Sequence, residues 1–140
     1  MKLEVKKLDP RAKLPSYAHP GDAGLDLFAL ETVTIPPRSR QRIHTGVAIV
    51  IPQGYVGLVW DKGGPSFKYG LTSVGGVFDA GFTGEYILCL YNTTDEPYTF
   101  SAGEKVAQLL VQAVERVDVT EIDQLPATSR ADGAFGSTGK

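Results

Sequence analysis

Along most of the chain, apolar positions alternate with polar ones or fall in short β-branched runs, and glycine and proline interrupt them repeatedly. This pattern predicts strands over Leu3–Leu8, Leu25–Ala29, Thr32–Ile35, Ile43–Ile51, Tyr55–Trp60, Tyr86–Tyr91, Tyr98–Phe100 and Lys105–Val114. Turn-forming groups separate them: Ile35-Pro36-Pro37-Arg38, Pro52-Gln53-Gly54, Asn92-Thr93-Thr94-Asp95 and Ser101-Ala102-Gly103. Helical periodicity is confined to Pro65–Tyr69, where the proline suits a first turn and Gly70 suits the C-terminal cap. Short strands at this spacing predict an all-β sandwich, jelly roll or barrel.

After Ala113 the chain becomes acidic and polar, and from Thr128 it reads TSRADGAFGSTGK. On composition alone this is a frayed terminus. Its Gly, Ser, Thr and Arg residues are also the types that wrap phosphate, and Phe135 is able to stack on a base. The expected organisation is one β domain over residues 1–120 and a flexible arm over residues 121–140.

A length of 140 residues, 42% of them hydrophobic and 21% charged, suits a single folded domain with its own core. The net charge of −2 disfavours a nucleic-acid polymer as partner. The single Cys89 makes no internal disulfide, and no apolar run approaches the ~20 residues that cross a bilayer. With no secretory pattern in Met1–Lys7, the expected location is cytoplasmic and no membrane partner is expected. His19 and His44 lack partners at zinc-ligand spacing. Cys89 and Trp60 read as packing residues.

Five short segments carry the chemistry. They are Ala23-Gly24-Leu25-Asp26-Leu27, Lys62-Gly63-Gly64-Pro65-Ser66, Gly76-Val77-Phe78-Asp79-Ala80-Gly81-Phe82-Thr83-Gly84, Gly103-Glu104-Lys105-Val106-Ala107-Gln108-Leu109 and Arg130 to Gly139. In order and spacing they resemble the five motifs of the trimeric dUTPase family: AGxDL, RSGLA, GVIDxxYRG, GDRIAQL and RGxGGFGSTG. Taken singly, each aspartate is an ordinary turn or cap residue and the glutamine an ordinary surface residue.

The second motif departs from the family. Lys62 stands for its arginine, and Gly63 stands in register for its serine, which donates a hydrogen bond beside the scissile phosphate bridge. Loss of such a donor costs ~2.7–4 kcal/mol of transition-state stabilisation at most. Phe82 replaces the tyrosine that packs on deoxyribose, Thr83 an arginine, and Ser73 an asparagine that contacts uracil in bacterial relatives.

The resemblance implies a distorted jelly roll or β-barrel with at most one short helix, assembled as a homotrimer whose sites draw motifs from three subunits. It implies hydrolysis of dUTP to dUMP and pyrophosphate, with Asp79 activating water for attack on the α-phosphorus. Lys62, Gly63, Gly64, Gln108, Arg130, Ser137 and Thr138 would hold phosphates, and Ser73, Gly76, Val77 and Phe82 the base and sugar. Phe135 and Gly136 would close over the uracil as part of a lid. Mg²⁺ would bridge phosphate oxygens with Asp26 in its outer shell. Two other readings compete. A nucleotide-binding or regulatory module would keep the pocket without the chemistry. The related dCTP deaminases carry a catalytic glutamate ten residues after the aspartate, where this chain has Cys89.

Overall fold

The computed structural model describes residues 1–134, so Phe135, Gly136, Ser137 and Thr138 lie outside the described residues. Ten strands and one helix follow in the order β1 (Glu4–Lys7), β2 (Leu25–Phe28), β3 (Val33–Ile35), β4 (Arg40–Val50), β5 (Tyr55–Asp61), α1 (Gly63–Tyr69), β6 (Leu71–Ser73), β7 (Val77–Phe78), β8 (Glu85–Asn92), β9 (Tyr98–Phe100) and β10 (Lys105–Ala113). Two four-stranded antiparallel sheets, β1-β4-β8-β6 and β2-β10-β5-β7, face each other, and the pair β3-β9 accompanies them. The all-β architecture is the one that the alternating pattern predicts, and its jelly-roll form is the one that the family resemblance implies.

The inner faces supply the core. In β8, Tyr86, Leu88, Leu90 and Asn92 point inward while their neighbours are more exposed, the period of two expected of a strand with one wet face. Leu27, Ile35, Ile43, Ile49, Ile51, Leu71, Phe100, Val106 and Leu109 complete the buried set. Tyr86 lies flat on Phe78, with ring centroids 3.9 Å apart. Its hydroxyl is buried without a partner, and burial pushes its pKa up to about 12.

All eight expected strands form, with ends shifted by up to three residues. The pattern missed β6 and β7, which are too short to show alternation. Helix α1 begins at Gly63 rather than Pro65, because the first helical N–H groups have no intrahelical partner and the proline's missing one costs nothing there. Gly70 caps it in the left-handed conformation, φ 62°, donating to the carbonyls of Pro65 and Ser66. Beyond Ala113 the described chain carries no helix or strand. No described helix is long and apolar enough to cross a membrane.

Asn92 locks the turn after β8. Its amide donates to the carbonyls of Glu96 (2.7 Å) and Ile35 (3.3 Å), and its oxygen accepts from the N–H and the hydroxyl of Thr94. Asn92→Ala strands these buried groups and is expected to cost about 2–4 kcal/mol, measured as a lowered denaturation midpoint.

Candidate active site

Strand β5 separates the expected site residues into two groups. At its C-terminal end, Trp60, Asp61 and Lys62 join Gly24 of the segment before β2 and Gln108 of β10 around an open recess of about 500 Å³. Sheet register brings them together, since Gln108 lies opposite both Asp26 and Trp60. Gln108 donates from Nε2 to the Asp61 carbonyl, 2.9 Å away. A Cβ at Gly24 would stand 2.5 Å from Gln108 Oε1, so only glycine leaves room for this amide. Trp60 is 58% exposed at the rim, contrary to the packing role expected of it. Its place opposite Gln108 puts the indole on the outward face of the sheet.

Asp26 is the buried charge here, 1% exposed. Lys62 donates a short hydrogen bond to Oδ1. Lys105 Nζ lies 2.6 Å from Oδ2, a close ionic contact whose angle falls short of a hydrogen bond. Burial pushes the Asp26 carboxyl up, but the two ammonium groups outweigh it and hold the carboxyl below its ordinary range. Sequence reasoning gave Lys105 no role, and its signal was only a lysine three residues before Gln108.

Gly63 and Gly64 open α1 with nothing within 4 Å of a Cβ at either, and neither has positive φ. At the far end of the same loop, the Ser73 N–H donates to Asp61 Oδ1 (2.5 Å) and the Thr72 hydroxyl to Oδ2 (2.9 Å). Asp61 was missed from sequence because an aspartate at a strand end is an ordinary feature.

The second group runs back along β5. Gly76, with φ 130°, accepts from the Val59 N–H at 2.8 Å, and a Cβ there would stand 2.7 Å from the Val59 carbonyl oxygen. Val77 is exposed on β7 and pairs with Leu58. Asp79 follows in the turn, exposed, its carboxylate free of ion pairs among the described residues. Asp79 lines an open recess of about 550 Å³ with Tyr55, Val56 and Arg116. The Phe82 ring tilts over Phe78 at 5.8 Å and covers Gly84. Glu85 then fixes the hairpin base, accepting from Gly46 N–H (2.8 Å) and meeting His44 Nδ1 (3.0 Å).

Phe78 pairs with Gly57, so Asp79 continues opposite Val56, six residues before Lys62. At ~3.3 Å per strand residue, Asp79 and Lys62 of one chain lie roughly 20 Å apart. One chain therefore does not bring its aspartate and its phosphate-side cation together. Arg130 lies exposed in a turn, donating to the Gly133 carbonyl. Cys89 is half-buried in β8 opposite Arg42.

Mg²⁺ does not fit the described arrangement at Asp26, whose carboxylate is enclosed by two lysine ammoniums. No cluster of three or more His, Cys, Asp or Glu suited to a metal occurs among the described residues.

The family model described as dUTPase matches residues 10–139. The chain is 42% identical to a deoxyuridine 5'-triphosphate nucleotidohydrolase of Thermobifida fusca, over 99% of this chain and 79% of that protein. It is 46% identical to the corresponding protein of Mycolicibacterium gilvum, over 98% and 94%. Among solved structures, a Staphylococcus bacteriophage 80alpha dUTPase with dUpNHpp superposes with a TM-score of 0.92 at 29% identity, over 99% of both chains. A mutant dUTPase from phage phi11 of S. aureus, described with a structural Mg(II) ion, matches with a TM-score of 0.82 at 29% identity, over 89% and 98%. The fold and the ordered motifs define a jelly-roll nucleotide-site protein. This chain belongs to the dUTPase family.

The depressed Asp26 carboxyl contributes stability that is present above the unfolded pKa of ~3.9 and lost as pH falls through the lower folded value. Asp26→Asn is expected to destabilise the protein by about 1–3 kcal/mol at neutral pH, because two lysines lose their counter-charge. The variant should also show a shallower loss of stability below pH ~4. Denaturant melts across pH 2–7 check both expectations.

Proposed function

We propose that the protein hydrolyses dUTP to dUMP and pyrophosphate in sites assembled between copies of the chain, as a homotrimer. The observation that carries this reading is the division along β5, with an unpaired, exposed Asp79 at one end and the Lys62–Gln108 recess at the other. A compact substrate needs base, sugar and phosphates held within a few ångströms of the attacking water, so residues roughly 20 Å apart must come from different chains.

Asp79 accepts a proton from water as the water oxygen attacks the α-phosphorus, and pyrophosphate leaves. Its exposure leaves the carboxylate free to meet both the water and the sugar 3′-hydroxyl of a docked nucleotide. Gly76 and Val77 offer backbone groups to the uracil, with Ser73 at the edge, and the Phe82 ring offers a flat face to a deoxyribose. Lys62 and the second N–H of Gln108 reach the phosphates, beside the backbone of Gly63 and Gly64. Lys62 supplies a point charge where a guanidinium would give a fork, so it orients phosphate less tightly. Arg130 and residues 135–138 serve as the closing arm. A divalent cation such as Mg²⁺, if bound with the nucleotide, would offset the triphosphate charge, and Asp26, enclosed by Lys62 and Lys105, would not be its direct ligand.

The side chains of Val117, Val119, Ile122 and Leu125, spaced among acidic and polar residues and largely uncovered in the single chain, favour assembly. A nucleotide-binding module that has lost turnover is the second reading, favoured by Gly63 alone.

Asp79→Asn should lower turnover by roughly 10²–10⁴-fold while affinity for the α,β-imido analogue of dUTP stays within about tenfold. Pyrophosphate release and analogue titration measure the two, and undiminished turnover would falsify the role of Asp79. Gly63→Ser meets no clash and no positive φ. It should raise kcat by ~10²-fold with little change in analogue affinity. Absence of turnover in both the parent and the serine variant, despite tight analogue binding, would establish the module reading instead.

A further inference from the structure

The loop that carries the second motif, Lys62 to Leu71, lacks apolar anchoring over its first half. Helix α1 buries none of its residues, and Phe67 at its centre is 93% exposed. Gly63, Gly64 and Gly70 add backbone freedom. Apolar packing therefore contributes little to holding Lys62 in place. At the far end Leu71 is buried in the core and Tyr69 packs on Tyr98, with ring centroids 4.6 Å apart, whereas the contacts at the Lys62 end are polar. At the far end, the Thr93 N–H and hydroxyl both reach the Gly70 carbonyl. Across the neck lies Asp61, whose carboxylate accepts from the Ser73 N–H and from the Thr72 hydroxyl, joining the residue before the loop to the two after it. The carbonyl of the same residue accepts from Gln108 Nε2. That acceptor settles which end of the amide is NH₂, and it leaves the second N–H for the recess.

We propose that Asp61 is a positioning residue that clasps the neck of the phosphate loop and presents Lys62 and Gln108 to a triphosphate. The proposal rests on the phosphate-binding reading given above. Through its carboxylate, Asp61 prevents the loop from fraying at its open end. Through its backbone, it aims the glutamine. The clasp also occupies the Ser73 N–H, so Ser73 meets a base through its hydroxyl rather than its backbone.

Two variants separate positioning from general stability. In Asp61→Asn the amide oxygen still accepts from the Ser73 N–H, and its NH₂ donates to the Thr72 hydroxyl oxygen. In Asp61→Ala both bonds are lost, while the carbonyl contact to Gln108 remains. The probes are affinity for the α,β-imido analogue of dUTP and hydrogen exchange of the Ser73 amide in the nucleotide-free protein. Asp61→Ala should weaken the analogue roughly tenfold or more and speed Ser73 exchange by a similar factor, whereas Asp61→Asn should stay within about threefold of the parent on both. Unchanged affinity and exchange in the alanine variant would overturn the clasp, as would an asparagine variant no better than alanine. Both readouts are taken without turnover, so a chain that binds dUTP and fails to hydrolyse it loses the hydrolase reading and leaves the clasp standing or fallen on its own data.

Discussion

Antiparallel pairing of β5 with β7 on one side and β10 on the other determines where every candidate group lies. A strand is a rigid ruler, and hydrogen bonding on both edges prevents its register from slipping. The phosphate-side residues therefore stay at the Asp61 end and the Asp79 turn stays at the Val56 end. No side-chain rotation closes a gap of roughly 20 Å. Packing that stabilises the single chain thus leaves Asp79 and Lys62 apart, and the proposed site depends on association with further copies to bring such groups together.

Within the phosphate end, electrostatics and space act together. Asp26 is buried among apolar strands and is tolerable there because Lys62 and Lys105 neutralise it. Lys62, drawn to the rim of the recess by Asp26, shares that recess with Asp22 and Asp61 and with a glutamine whose orientation is set by a backbone carbonyl and a missing Cβ at Gly24. On the proposed reading, an incoming triphosphate would compete with Asp26 for Lys62, so part of the ligand's interaction would be offset by the pair it disturbs.

Much of the fold was legible in the sequence. Strands long enough to alternate, such as Glu85–Asn92, announced themselves by their period, whereas Leu71–Ser73 and Val77–Phe78 exist only because β8 and β5 pair with them. The site was legible through motif spacing, which brought Lys62, Gln108, Gly76 and Asp79 to attention before any contact was known. Asp61 and Lys105 were not legible, since their roles come from what crosses to meet them: Ser73 and Thr72 from β6, and Asp26 from β2. The indole of Trp60 was read as packing because hydrophobicity does not say which face of a strand lies outward. Residues 135–138, prominent in sequence, lie outside the described residues, and their contribution to the site rests on the resemblance.

Subunit complementation tests the composite site most directly. Chains carrying Asp79→Asn and chains carrying Gln108→Ala, each inactive when assembled alone, are unfolded together and refolded in equal amounts. If every site takes its aspartate from one chain and its glutamine from another, random mixing leaves about a quarter of sites with both groups intact, and dUTP turnover returns to about a quarter of the parent value. If both groups of a site belong to the same chain, no mixed assembly contains an intact site; persistent inactivity in trimers shown to be mixed would contradict the account.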